Sequence, residues 1–101
     1  MSGNLVLPDG RWWTASSGVY HWVVDHLAGA VTDPAVAERF RQTAEHGFRT
    51  LDLGDLPPAA CEEVLRVLRD SLLPTVEARF PGPDGEAVRE SVARSRDLAR
   101  P

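Results

Sequence analysis

Trp12 and Trp13 are adjacent, and one residue before them, ahead of Arg11, stands Pro8-Asp9-Gly10. Proline presets φ, aspartate bonds its own backbone, and glycine accepts the left-handed position of a short hairpin loop. Leu5-Val6-Leu7 and Arg11-Trp12-Trp13-Thr14 therefore read as the two arms of a β-hairpin. Adjacent residues on a strand project to opposite faces, so the two indoles cannot share one core. One must cover the other face of the sheet, an edge or an interface. Tyr20 and Trp22 follow within the same eleven-residue window, which holds every Trp and Tyr of the chain. Such rings supply most of the apolar payload of a small core or interface, and each carries a polar tip that needs a partner.

After the hairpin, Ser16 or Ser17 caps a helix running to about Val31, with an apolar stripe of Val19, Trp22, Val23, His26, Leu27 and Ala30 that Tyr20 and Val24 widen. Thr32-Asp33-Pro34 opens a second helix that Gly47 stops. Alternation over Phe48–Leu53 predicts a third strand with Leu51 and Leu53 inward. Pro57-Pro58 starts a third helix with the stripe Ala60, Cys61, Val64, Leu65, Leu68 and Leu72, which Pro74 kinks or ends. The expected fold class is α+β, in the order ββααβαα. It is a three-stranded antiparallel sheet, built from the N-terminal hairpin and one later strand, with three to four helices packed on one face. Residues 1–101 form one domain, with a loop at 81–85 and a weakly packed helix over 86–101, whose apolar stripe is thin.

The net charge is −4, from 15 acids and 11 bases, which disfavours binding to a phosphate backbone. Every base is arginine, isoleucine and lysine are missing, and Asn4 is the one asparagine, a pattern of high-GC, actinobacterial coding. The helix–break–helix at Thr32-Asp33-Pro34 has Glu38 and Glu45 among its arginines, so a DNA-reading role is rejected. No stretch is long and apolar enough to span a bilayer, the start of the chain has no signal-like pattern, and a lone cysteine fits a reducing compartment. The expectation is a cytoplasmic protein with no membrane, nucleic-acid, metal or cofactor partner.

Candidate sites are few. His26 lies within an apolar stripe, while His21 stands nearly opposite it on the helix, so the two cannot share an ion; a packed, hydrogen-bonded His26 is the simpler reading. His21 and Asp25 have a surface i,i+4 spacing, and His46 suits a helix C-terminus. Cys61 reads as packed and inert, because Glu62 and Glu63 oppose thiolate formation. Asp52, Asp55, Glu62 and Glu63 cluster around one strand-to-helix turn, where capping and solvation suffice, or where they form a rim facing a basic partner.

Three functional expectations result. The first is a non-enzymatic protein-binding domain, in its most concrete form an immunity-type or antitoxin-like inhibitor of a basic protein. Trp12 and Trp13 would be its anchors, and Asp52, Asp55, Glu62 and Glu63 its rim. The second is a small-molecule-binding accessory protein or small enzyme, with an aromatic pocket of Trp12 or Trp13, Tyr20, Trp22 and His26. The third is a homodimer joined through the aromatic strand.

Overall fold

The computed structural model describes residues 2–100; Met1 and Pro101, the ends of the expected domain, lie outside the described residues. Strands β1 (Ser2–Val6) and β2 (Trp12–Ser16) pair antiparallel, with Leu5 opposite Trp13 and Val6 opposite Trp12. The Leu7 N–H donates to the Arg11 carbonyl at 2.7 Å and the Gly10 N–H to the Leu7 carbonyl at 3.0 Å. Gly10 has φ +91°, and the Asp9 carboxylate accepts from the Arg11 backbone N–H at 3.0 Å and from its Nε at 2.7 Å. The turn residues thus act as their chemistry dictates.

Parity divides the hairpin. Gly3, Leu5, Trp13 and Ala15 are buried against helices, whereas Trp12, Thr14 and Ser16 face outward and are exposed. Trp13 is 2% exposed and Trp12 67%. The inner indole closes its hydrogen bond far along the chain, where Nε1 donates to the Ser91 carbonyl at 2.7 Å.

The sheet is mixed, where an all-antiparallel one was expected. β3 (Thr50–Asp52) lies beside β1, giving the order β2-β1-β3, and it runs parallel to β1 with Leu5 opposite Leu51. It runs opposite to β2 but lies against β1, so the β1–β3 pair is parallel. Helix α1 (Ser17–Ala30) packs under the hairpin, and α2 (Pro34–Glu45) packs against α1. Together they carry the chain to the free edge of β1, where the Asn4 N–H donates to the Arg49 carbonyl at 2.6 Å. Sheet order is a matter of this helical crossover, which no strand pattern encodes.

Ser16 caps α1, its Oγ accepting from the Val19 N–H; Asp33 caps α2, accepting from the Ala35 N–H at 2.9 Å, with Pro34 at the first helical position. The inner face of α1 is rotated from the expected stripe. Tyr20, Val23, Val24, Leu27 and Ala28 are buried, while Val19, Trp22, His26 and Ala30 are only half-buried. The apolar arc is wide enough to present either flank, and the sheet and α2 select the Tyr20–Val24 side.

Helices α3 (Pro58–Arg66) and α4 (Leu72–Arg79) are continuous through one π-helical turn at Val67–Ser71. Val64, Leu68, Leu72 and Val76 are all essentially fully buried along this rod, at a spacing of four. On an α-helix that spacing drifts by about 40° per step. The wider π turn takes up part of the drift and keeps the four side chains on one side. Pro74 falls within the first turn of α4, so the helix does not end there; the irregularity lies just before it, in the π turn and at Ser71.

Helix α5 (Glu86–Ala99) buries Ser91, Val92, Ser95 and Ala99. The Trp13 indole holds its middle, the Arg11 guanidinium donates to the Leu98 carbonyl at 2.8 Å, and Arg89 donates to the carbonyls of Phe80 and Gly82. These polar ties supplement a stripe that looked thin in the sequence. No helix among the described residues is long and apolar enough to cross a membrane.

Candidate functional site

The helices cover one face of the sheet, and the other face is bare. Its cross-strand rows follow from the register: Trp12–Val6–Asp52 forms one, and Thr14–Asn4–Thr50 the next. The Thr14 hydroxyl donates to the Asn4 side-chain carbonyl at 2.8 Å, which ties the second row together. Two strand spacings, about 10 Å, separate the Trp12 and Asp52 backbones, with Val6 half-buried between them. An exposed indole beside an aliphatic residue and a carboxylate therefore occupies a face that no element among the described residues covers.

The four acids have different fates. The Asp52 carboxylate accepts from the Gly54 N–H at 2.8 Å and caps a short 3-10 turn, Leu53–Asp55. Asp52 and Asp55 line a cleft of about 440 Å³ with Arg39, Gln42 and Phe48. Glu62 pairs with Arg69 at 2.9 Å. Glu63 turns to the α1–α2 connection, accepting from the Thr32 N–H at 2.6 Å and its hydroxyl at 3.0 Å. Asp52 and Asp55 thus share the end of β3, while Glu62 pairs along its own helical rod and Glu63 ties that rod to the α1–α2 connection.

The aromatic residues are also dispersed. Tyr20 lies under β1, with its ring against Gly3, and its hydroxyl has no hydrogen-bond partner among the described residues. Trp22 stacks on His26 at a centroid distance of 5.4 Å and meets Phe80 edge-on at 5.6 Å. Trp12 points away from all of them, and none of the principal clefts is lined by Trp13, Tyr20, Trp22 or His26. Of the residues grouped in sequence as an aromatic pocket, Trp22 and His26 meet, but Tyr20 and the strand indoles do not join them in any of these clefts. Cys61 is half-buried beside Leu65; burial first, then Glu62 and Asp52, push its thiol above the ordinary 9.0. Among the described residues no group of three or more His, Cys, Asp or Glu is arranged to hold a metal ion.

Phe48, which sequence reasoning did not single out, is 58% exposed, with its ring tilted against His46 at 5.9 Å. It stands two residues before β3, and a large apolar residue straight after the helix-stopping Gly47 was the available signal. Comparison of the chain with family models, with curated proteins and with solved structures returned no match.

Proposed function

We propose that this protein is a non-enzymatic protein-binding domain whose bare sheet face docks on a basic surface of a partner protein. Its most concrete form is an immunity-type inhibitor that covers a basic enzyme. The observation that carries the reading is Trp12, two-thirds exposed on a face without helices and in one row with Val6 and Asp52. Trp is among the residues that most often dominate binding energy, and surrounding carboxylates steer a cationic partner and fix its register. The net charge of −4 favours the same encounter.

The test uses the wild-type chain and two variants, Trp12→Ala and Asp52→Asn/Asp55→Asn, as baits in the native organism's extract, followed by affinity measurement on the purified partner. A basic partner is expected. Trp12→Ala should weaken it at least about thirtyfold, equivalent to ~2 kcal/mol. The double Asn variant should slow association and flatten its salt dependence. A partner whose affinity ignores both changes refutes the reading.

A further inference from the structure

β2 is an edge strand, because β1 is its one hydrogen-bonded neighbour. The hydrogen-bond phase of the hairpin is set by the Leu7 N–H on the Arg11 carbonyl, and the register continues it through Leu5–Trp13 and Gly3–Ala15. In an antiparallel ladder every second residue bonds inward. The backbone N–H and C=O groups of Trp12 and Thr14, and the N–H of Ser16, are therefore directed away from β1 at the free edge. The opposite edge of β1 obeys the same phase, since the Asn4 N–H bonds to the β3 side.

Edge strands are usually guarded by charges, proline, bulges or shortness. Trp12–Ser16 contains no charge and no proline, and its pairing with β1 runs through five residues without a bulge. Helix α5 forms a second wall beside it. Between them lies a groove of about 480 Å³, lined among others by Thr14, Ala15, Ser16, Val88, Ser91 and Arg94. Two groups of this wall lack an internal partner. Ser91 is 6% exposed and its hydroxyl makes no hydrogen bond. Arg94 joins none of the ion pairs among the described residues, although Glu90 precedes it by four, the favourable helical spacing.

We propose that this groove accepts an extended segment of a partner protein as a fourth strand, paired to the Trp12–Ser16 backbone, with a carboxylate of that segment on Arg94. Outward backbone groups recurring at every second residue match another extended chain. The side chains facing down from such a strand meet Ala15 and Val88, so small apolar residues suit the floor. Arg94 lies one helical turn beyond Ser91, which places the carboxylate near one end of the added strand. This surface is the edge of the sheet, separate from its bare face, and its test does not depend on the basic partner.

Amide hydrogen exchange of the free protein comes first. The Trp12 and Thr14 amides should exchange rapidly while those of Trp13 and Ala15 are protected. A displayed library of random heptapeptides is then selected on the wild-type chain. Enriched peptides should carry an acidic residue at a constant place and protect the Trp12 and Thr14 amides when bound. Methylating every second peptide amide in one phase should weaken binding at least about tenfold, and in the other phase leave it unchanged. Arg94→Glu should weaken it at least about tenfold, with recovery when the peptide's acid becomes lysine. Protection of the edge amides in the free chain, including through a dimer seen by light scattering, overturns the proposal. So does a failure to enrich peptides, or binding indifferent to the methylation phase and to Arg94→Glu.

Discussion

Tyr20 is the single tyrosine of the chain, is 1% exposed and has a hydroxyl without a partner among the described residues. Burial pushes its pKa from 10.0 up to about 12. The charged form is the disfavoured one, so the folded chain keeps the proton across a range in which the unfolded chain has lost it. This contribution is fully present below pH 10.0 and is lost as pH climbs to about 12. Two pH units correspond to something on the order of 2–3 kcal/mol, a large share of the roughly 5–15 kcal/mol that hold a domain together. Tyr20→Phe removes the titration and also the unsatisfied hydroxyl, whose burial costs roughly 1–3 kcal/mol. The Phe variant should match or exceed the wild type by about 1 kcal/mol at neutral pH, and the gap should widen in its favour above pH 10.0. Urea denaturation of both proteins at a series of pH values measures this, and their difference cancels Cys61. Tyrosinate absorbance follows the group directly, because no other tyrosine contributes. A midpoint near 10.0 in the folded protein, or a clear loss of stability in the Phe variant at neutral pH, refutes the reasoning.

The two neighbouring indoles should behave oppositely. Trp13→Ala is expected to cost about 3–5 kcal/mol and Trp12→Ala to stay within about 0.5 kcal/mol, as read by chemical denaturation; equal losses would contradict their placement. At Gly3 an added Cβ would come within 2.2 Å of Tyr20 Cγ, so Gly3→Ala should destabilise by at least about 1–3 kcal/mol in thermal melts. A variant as stable as the parent would show that the Tyr20 ring does not lie on β1. Cys61 should alkylate more slowly than an unstructured thiol at neutral pH, with a rate profile whose midpoint lies above 9.0. Rapid reaction at neutral pH would mean an activated thiol.

Features settled by neighbours in the chain were legible in the sequence. The Pro8-Asp9-Gly10 turn, the Ser16 and Asp33 caps and the stop at Gly47 each depend on a few adjacent residues. Opposite projection of Trp12 and Trp13 was equally local. Which of them faces inward was not, because the Ser91 carbonyl that receives the indole is 78 residues away. The side of the hairpin that β3 joins is likewise decided by the crossover of α1 and α2. For α1, a broad apolar arc left its inner flank open, and Trp22 came to rest between His26 and Phe80 beside the main core. The groove along β2 has no sequence signature, since Thr14 and Arg94 are ordinary residues until sheet order makes the first an edge and helix packing brings up the second.

The bond from Trp13 to Ser91 also has a temporal meaning. During synthesis the hairpin emerges early, yet its inward indole lacks an acceptor until the fifth helix has left the ribosome. Over that interval a large aromatic surface stays adhesive, the circumstance in which nascent chains recruit chaperones or stick to one another. Slow translation of the second half should therefore lower the yield of folded protein more than slow translation of the first.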